Sequence, residues 1–149
     1  MGKKTALIAA SSIVVLDQTT KLIIKNNLGL SQSKPLIKNI LHFTYVTNSG
    51  SAFGWFKDFN FLLIIFSFCV ISAIFYFYVW VKIKNNQMPQ QIAAGLLLGG
   101  TIGNLIDRVF YGYVIDFIDF RIWPVFNIAD IAVTTSVIIL LFYIWKKKD

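Results

Sequence analysis

Carboxylates are the side chains in this sequence most able to do chemistry, and all of them are aspartates. The chain has seven aspartates and no glutamate, and four of them fall between Asp107 and Asp130. Two carboxylates that share one site cannot both ionise easily, so one keeps a proton while the other stays charged. Such a pair can hydrolyse an amide, because the charged member activates water and the neutral member polarises the carbonyl. The candidates without an obvious basic partner are Asp116, Asp119 and Asp130.

Other kinds of catalytic centre find little support in the residues. The chain has one histidine, His42, and one cysteine, Cys69, and it contains neither a G-x-S-x-G nucleophile motif nor an H-E-x-x-H zinc motif. We expect His42 to be a solvated side chain on an exposed strand and Cys69 to pack against lipid or the core. No metal and no cofactor is predicted.

The composition indicates a membrane protein. Apolar residues make up 56% of the 149 residues and charged residues only 14%. Residues 59–81 include no charge, and an apolar stretch longer than about 18 residues is typical of a transmembrane helix. The net charge of +7 does not indicate a nucleic-acid partner, because the lysines cluster beside apolar stretches, where they set the topology.

Four apolar stretches are predicted to be transmembrane helices. The first resembles a cleaved signal peptide, but it continues through Asp17 and Lys21 without a small-residue cleavage site, so we treat it as a helix. Basic clusters at residues 3–4, 82–84 and 146–148 predict that both termini are cytoplasmic. The predicted single domain is 1–149, with helices at about 5–24, 59–81, 90–109 and 127–145 and outer loops at about 25–58 and 110–126.

The first outer loop is predicted to contain a small β-sheet. Residues 41–45 alternate apolar and polar side chains, as a strand does, and residues 48–51 are typical of a turn. We expect this sheet to rest on the outer membrane surface, with Phe43 and Tyr45 towards lipid or substrate. The predicted fold class is therefore an all-α integral membrane protein with four transmembrane helices and a small extracytoplasmic β-sheet.

Helix geometry brings carboxylates from three helices into one layer near the outer surface. At a rise of about 1.5 Å per residue, Asp17, Asp107 and Asp130 lie about 20, 25 and 24 Å from the inner boundary of a hydrocarbon core about 30 Å thick. Carboxylates at this depth are costly unless they are paired or face a polar cavity, so they are functional candidates. Asp17 precedes Lys21 by four residues, which favours a structural ion pair. Asp107 adjoins Arg108 and is assigned to a charge network.

Five short motifs follow one another between residues 17 and 130. They are Asp17-Gln18-Thr19-Thr20-Lys21, Asn48-Ser49-Gly50-Ser51-Ala52-Phe53, Gly103-Asn104-Leu105-Ile106-Asp107-Arg108, Val114-Ile115-Asp116-Phe117 and Phe126-Asn127-Ile128-Ala129-Asp130. On a chain with four spans, this order resembles the boxes of lipoprotein signal peptidases, the signal peptidase II family. Ser51 and Gly54 differ from the Ala and Ser expected in the second box. The G-x-G-D motif of other intramembrane aspartic peptidases is absent.

The resemblance implies that Asp116 and Asp130 are the catalytic pair of an aspartic endopeptidase, a choice that the residues alone leave open. It implies supporting roles around this pair and the substrate for Asn48, Gly50, Asn104, Arg108 and Asn127. Asn127 could orient Asp130 or cap the start of its helix, and Arg108 could hold substrate backbone or a carboxylate. Asp17, Lys21 and Asp107 are assigned as structural polar residues.

The resemblance also implies a substrate and a location. The substrate would be a prolipoprotein whose cysteine already carries diacylglycerol, with cleavage just before that cysteine. The location would be the bacterial plasma (inner) membrane, crossed several times, with membrane lipids as further partners. A lipidated cysteine would sit at the outer hydrocarbon boundary, which is where helix rise puts the aspartate layer.

Two other classes of protein compete with this interpretation. A small proton-coupled carrier would also contain membrane carboxylates, but it would have polar groups near the midplane and in both halves of the membrane, whereas the inner halves here are almost wholly apolar. A noncatalytic assembly subunit could pack through Gly95, Gly99 and Gly103, which share one helix face. That class leaves the aspartates unexplained.

Overall fold

The computed structural model describes residues 2–50, 60–80 and 88–146, which form four helices and three strands. The helices are α1 (Gly2–Asn27), α2 (Asn60–Trp80), α3 (Met88–Tyr111) and α4 (Ile128–Lys146), and the strands are β1 (Ser33–Ile37), β2 (Leu41–Asn48) and β3 (Val114–Asp119). The described part of each helix agrees with its predicted range to within three residues at both ends.

The distribution of polar and apolar side chains is the reverse of that in a soluble protein. Phe61 and Phe75 are 71% and 68% exposed, while Asp17 and Asp107 are completely buried. Outward apolar groups suit lipid, and inward charges are tolerated where they pair with one another. Among the described residues, the stretches long and apolar enough to cross a membrane are Lys4–Asn27, Met88–Tyr111 and Ile128–Lys146; the apolar stretch of α2, Asn60–Tyr76, is shorter.

Helix α3 is the centre of the bundle and packs against α1, α2 and α4. Two glycine pairs make this possible, because a Cβ atom at Gly95 or Gly99 would lie 2.5 or 2.7 Å from a carbonyl oxygen of α1. At Gly100 it would lie 2.5 Å from a carbonyl oxygen of α4, and at Gly103 it would meet Asp17. The predicted glycine face is therefore correct, and Gly100 extends it towards α4.

The three strands form one antiparallel sheet in the order β1-β2-β3. The predicted strand at 41–45 is correct and continues to Asn48, where Gly50 N–H bonds to Asn48 Oδ1 over 3.0 Å in the predicted turn. Neither β1 nor β3 was predicted. Strand β1 is exposed throughout, and β3 is buried on both faces, so neither shows the alternation that marks a half-buried strand.

The expectation that Phe43 and Tyr45 face lipid or substrate is wrong. Tyr45 is 7% exposed and belongs to a buried cluster with Ile24 of α1 and with Phe117 of β3. Phe43 is partly buried against the same cluster, and its ring centre lies 6.3 Å from that of Phe117. Apolar packing at the C-terminal end of α1 thus fixes the sheet to the helices, which orients β3 relative to α3 and α4.

Candidate active site

A cavity of about 910 Å³ lies between α2, α3 and α4 and reaches β3. Its charged residues and its asparagines belong to the sequence motifs, and apolar side chains such as Leu63, Phe66 and Val133 line much of the remainder. Further polar groups come from Ser67, Thr101, Thr134 and Thr135. The predicted site residues that line it are Asn48, Gly50, Asn104, Arg108, Asp116 and Asp130. A few converging polar groups in an apolar cavity are typical of a binding site.

Asp116 of β3 is held by a hydrogen bond to each of its carboxylate oxygens. Asn127 Nδ2 donates to Oδ1 over 2.6 Å, and Asn48 Nδ2 donates to Oδ2 over 3.0 Å. The oxygen of Asn48 is occupied by Gly50 N–H, which fixes its amide with the nitrogen towards Asp116. Asp116 is only 3% exposed, so these donors replace water around the carboxylate.

Asp130 lies in the first turn of α4, and Asn127 is the N-cap of that helix. Asn127 Oδ1 accepts a hydrogen bond from Asp130 N–H over 3.0 Å, and Asp130 Oδ2 accepts one from Asn127 N–H over 3.2 Å. This reciprocal pair is a capping box, here built from Asn and Asp. The partial positive charge at the helix start stabilises negative charge at this position.

Asn104 of α3 connects the two aspartates from the helix side. Its Nδ2 donates to Asp130 Oδ1 over 2.8 Å, and its Oδ1 accepts from Asn127 Nδ2 over 3.1 Å. Asn127 contacts both carboxylates and also Asn104. The two asparagines and the two aspartates therefore form one hydrogen-bonded unit. The amides thus hold Asp116 and Asp130 in a fixed relation to each other.

The two carboxylates also interact electrostatically. Burial, and after it the charge of Asp130, raise the pKa of Asp116 to about 7, although hydrogen bonds from Asn48 and Asn127 act in the opposite direction. Near neutral pH the site can therefore carry one proton and one negative charge. This is the protonation state that a carboxylate pair needs for amide hydrolysis.

Arg108 is the cation that lines the cavity with the two aspartates. It is partly buried, and its Nε atom has no hydrogen-bond partner among residues 2–50, 60–80 and 88–146. A buried unsatisfied guanidinium N–H is costly, so it needs an explanation such as a bound ligand. A substrate carbonyl or carboxylate would satisfy it.

The residues predicted to be structural lie directly behind this unit. Lys21 Nζ contacts Asp17 Oδ2 over 2.8 Å and Asp107 Oδ2 over 2.9 Å, and the side chains of all three are at most 2% exposed. The predicted pairing of Asp17 with Lys21 is present. Asp107 pairs with Lys21, and its neighbour Arg108 faces the cavity. Gln18 Nε2 also bonds to both aspartates, over 3.2 and 3.0 Å, a contact that was not predicted.

Comparison with known proteins gives the family. A family model described as signal peptidase (SPase) II matches residues 9–146. The chain belongs to the signal peptidase II family. The lipoprotein signal peptidase of Halothermothrix orenii is 41% identical over 136 residues, which are 91% of this chain and 92% of that protein. The lipoprotein signal peptidase of Acaryochloris marina is 44% identical over 140 residues, with 87% and 82% of the two chains covered.

Two solved structures of bacterial membrane enzymes, determined by the in meso method, have the same fold as this signal peptidase II chain. The structure at 2.3 Å resolution gives a TM-score of 0.92 at 33% identity, with 98% of this chain and 90% of that chain covered. The structure at 1.9 Å resolution gives a TM-score of 0.86 at 34% identity, with 95% of this chain and 92% of that chain covered. The chain is therefore a peptidase of a bacterial membrane, with a mostly helical fold and a small three-stranded sheet.

The third candidate aspartate of the signal peptidase II chain, Asp119, is not among the residues that line the cavity. Thr44 Oγ1 donates to its Oδ2 over 2.7 Å, and Arg121 bonds to it through both backbone and side chain. Although burial acts to raise it, these bonds hold the pKa of Asp119 below its usual range. Residues three apart on a strand point to opposite faces, so Asp119 and Asp116 diverge.

Other predicted features of the signal peptidase II chain lie away from the cavity or outside the described residues. His42 is half-buried, and its Nδ1 lies 3.1 Å from Ser33 Oγ, so it is not the freely solvated residue that was predicted. Cys69 of α2 is exposed. Ser51 and Gly54 fall outside the described residues. In the part of the chain that is described, no group of three or more His, Cys, Asp or Glu side chains could hold a metal ion.

One part of the cavity was not predicted from the sequence of this signal peptidase II. Trp123, Pro124 and Val125, in the connection between β3 and α4, line it together with the predicted residues. This connection is closed by hydrogen bonds between Ile118 and Phe126 over 2.8 and 3.1 Å. An apolar run containing proline directly before the last motif was a usable signal, because binding residues lie disproportionately on loops held by a rigid scaffold.

Proposed function

We propose that this signal peptidase II is an aspartic endopeptidase that removes signal peptides from diacylglyceryl-modified prolipoproteins by cutting before the lipidated cysteine. The observation that carries the proposal is the pair of Asp116, which is buried, and Asp130, which is partly buried; both line one cavity and are joined through Asn127. We call these two aspartates the dyad. The lipoprotein substrate class comes from the names of the relatives.

The dyad has an asymmetry that suits general acid and base catalysis. Asp130, at the positive end of α4, is the charged member and removes a proton from a water molecule as that water attacks the scissile carbonyl carbon. Asp116, whose pKa is raised to about 7, is the neutral member and gives its proton to the carbonyl oxygen. As the tetrahedral intermediate collapses, Asp130 passes its proton to the leaving nitrogen and Asp116 recovers one from the hydroxyl group.

The neighbouring residues have roles that follow from their contacts. Asn48 and Asn127 hold Asp116 by its two oxygens, and Asn104 holds Asp130. Gly50 fixes the amide of Asn48 through its N–H group. Arg108, whose Nε has no partner among the described residues, binds the substrate backbone beside the scissile bond.

The apolar part of the cavity suits a substrate that arrives within the membrane. Leu63, Phe66 and Val70 of α2 and Leu97 of α3 continue the cavity away from the dyad. An apolar signal peptide can occupy this part while its cleavage site unwinds beside the aspartates, since a helical amide is shielded by its own hydrogen bonds. Burial of apolar surface contributes roughly 25 cal/mol per Å² to such binding.

The topology belongs to the same proposal. The domain 1–149 crosses the bacterial plasma membrane with four helices and has both termini in the cytoplasm, by the density of lysines near the span ends. The sheet and the dyad are then at the outer surface, where a lipidated cysteine sits. The partners are lipidated prolipoproteins and membrane lipids, and no nucleic acid is needed. No observation favours the carrier alternative.

The experiment is cleavage of a purified diacylglyceryl-modified prolipoprotein by the purified chain in detergent micelles, followed as a gel shift. We expect loss of the signal peptide and, by mass spectrometry, a new N-terminus at the lipidated cysteine. Asp116→Asn enzyme prepared in the same way is the control for a contaminating protease. Cleavage at another bond, or equal cleavage by the control, would reject the function.

A further inference from the structure

A buried ammonium group lies at the centre of the contacts behind the dyad. Lys21 is 2% exposed, and its Nζ lies 2.8 Å from Asp17 Oδ2, 2.9 Å from Asp107 Oδ2 and 3.0 Å from Asn104 Oδ1. An ammonium group has three N–H donors, and these three oxygens use all of them. Two of these oxygens belong to carboxylates that balance the charge of Lys21, whereas the third belongs to the neutral amide of Asn104 and therefore needs its own explanation.

The contact with Lys21 decides which way the amide of Asn104 points. Lysine donates and never accepts, so the atom of Asn104 that faces it must be the oxygen. The amide nitrogen then faces Asp130 Oδ1, to which it donates over 2.8 Å. The same oxygen accepts from Asn127 Nδ2, which also donates to Asp116. Without the ammonium group the amide could rotate, which would set its oxygen against a carboxylate.

The two acids paired with Lys21 hold the backbone next to the dyad. Asp17 Oδ1 accepts a hydrogen bond of 3.0 Å from Ala129 N–H, and Asp107 Oδ2 accepts one of 3.0 Å from Ile115 N–H. Each of these N–H groups belongs to the residue directly before a dyad aspartate. Lys21 is therefore linked through Asn104 to the side chain of Asp130. Through Asp17 and Asp107 it is linked to the backbone directly before each dyad aspartate.

We propose that Lys21 is a positioning residue for the peptidase reaction, which acts through Asn104, Asp17 and Asp107 to fix the orientation of the dyad without touching the substrate. This inference rests on the proposed function, because it assumes that Asp116 and Asp130 react with the substrate. It goes beyond the role of a structural ion pair between Asp17 and Lys21. A structural pair would affect folding alone, whereas a positioning residue affects the catalytic step in folded enzyme.

The charge of Lys21 adds a second signature. The positive charge acts to lower the pKa of Asp116, so its removal raises that pKa further. Asp116 then keeps its proton to a higher pH. The loss of activity on the basic side of the pH profile should therefore also shift to a higher pH. Among the residues that the structure describes, the charged side chains around the dyad are Asp17 and Lys21 on α1, Asp107 and Arg108 on α3, and Asp116 and Asp130 themselves.

The test compares Lys21→Met with Lys25→Met, the same substitution one helical turn further along α1. Lys25 lies over the ring of Tyr111, 4.0 Å from its centre, and is not among the residues that contact the dyad or Asn104 in the described part of the chain. In folded, monodisperse enzyme we expect Lys21→Met to lower kcat by at least about tenfold with KM within about threefold, and to move the basic limb to higher pH. Lys25→Met should stay within about twofold. A Lys21→Met enzyme with wild-type kcat, or with a lowered kcat and an unmoved limb, would overturn the proposal.

A double variant separates orientation from charge and guards against misfolding. The cluster of Lys21, Asp17 and Asp107 has a net charge of −1, since one cation faces two anions. Lys21→Met combined with Asp17→Asn leaves only Asp107 charged, which is again −1, and the amide introduced by Asp17→Asn retains an oxygen for Ala129 N–H. We expect kcat to remain at least about tenfold low, because the oxygen of Asn104 is then held by Asn127 Nδ2 alone and no longer by an ammonium group. Recovery to within about twofold of wild type would exclude the orienting role.

The remaining outcomes are also decisive. If neither Lys21 variant gives folded protein, Lys21 is a residue of the fold and the positioning role is wrong. If wild-type enzyme fails to cut the lipidated substrate, or if Asp116→Asn cuts it, the proposed function itself fails. Wild-type cleavage, inactive Asp116→Asn and fully active Lys21→Met together would reject only the inference about Lys21.

Discussion

Asn127 donates a hydrogen bond of 2.6 Å to Asp116, although the two residues lie on different elements of the fold. Through its backbone N–H and side-chain oxygen, the same residue also caps α4 together with Asp130. The start of one helix therefore fixes the separation of two carboxylates that are fourteen positions apart. Movement of either aspartate would break a bond to Asn127, so the dyad is organised before substrate binds.

The first prediction concerns the dyad itself. Asp116→Asn and Asp130→Asn should each lower cleavage by at least about a thousandfold while the protein stays folded in membranes, because neither role survives loss of the carboxyl group. The measurement is the gel shift of lipidated prolipoprotein, with size-exclusion elution as the check of folding. Near-normal cleavage by either purified variant would reject the assignment.

The second prediction is a loss of activity above neutral pH. The pKa of Asp116 is raised to about 7, so the carboxyl keeps its proton below that value and loses it above. Since the second ionisation removes the general acid, kcat/KM should fall as pH rises past about 7, with a limiting slope of about −1 in its logarithm. Single-turnover cleavage from about pH 5 to about 9 checks this, and a rate that stays flat across the range would contradict it.

The third prediction uses Asp119 as a matched acid on the same strand. Asp119→Asn should retain activity within about threefold, because this side chain bonds to Thr44 and Arg121 and is not among the residues that line the cavity. Its cleavage rate is compared with that of Asp116→Asn in one assay. If Asp119→Asn were inactive and Asp116→Asn active, Asp119 would be the partner of Asp130.

The fourth prediction concerns the lipid on the substrate. An unlipidated prolipoprotein should be cleaved far more slowly than its diacylglyceryl form, because each buried CH₂ of the acyl chains contributes about 0.8 kcal/mol to holding the cysteine at the interface. Without this anchor the scissile carbonyl would rarely meet Asp116 and Asp130. Both substrates are compared in matched detergent micelles, and equal rates would show that the lipid has no positioning role.

The fifth prediction is the orientation in the membrane. A cysteine at Ser33, which is exposed on β1, should react with an impermeant thiol reagent from outside the cell, and one at Asn86 only from the cytoplasmic side. Both substitutions are made in a Cys69→Ala background, because Cys69 is the only native cysteine. Asn86 lies outside the described residues. Labelling of Ser33→Cys only from the cytoplasm would reverse the topology.

The helices and several local contacts could be predicted because their signals are contiguous in the sequence. Apolar stretches predict α1, α3 and α4 to within three residues. The spacing of Asp17 and Lys21 predicts their ion pair, since residues four apart share a helix face. In the same way, Asn127 is predicted to cap the start of α4 because it lies three residues before Asp130. These features depend on spacing along one helix and need no knowledge of the fold.

The choice between Asp116 and Asp119 depended on the tertiary structure or on a resemblance to known proteins. Strand β3 has no alternating pattern because it is covered on both faces, so the sequence does not tell which acid points inward. The structure shows that Asp116 lines the cavity with Asp130 and bonds to Asn127 at the start of α4, which supports the choice of Asp116. The burial of Tyr45 could not be predicted either, because the residues that cover it come from α1 and β3, which are distant in the sequence.

The sequence by itself determined the class of the protein, the helices and the small set of acids that could react. Only the tertiary structure decided how those acids are held, because each deciding contact joins elements far apart in the chain. Lys21 bonds to Asn104 across 83 positions, and Asp17 accepts the N–H of Ala129 across 112. Helical periodicity specifies which face a residue occupies, but the neighbour that this face meets is set by the packing of small residues such as Gly99 against another helix.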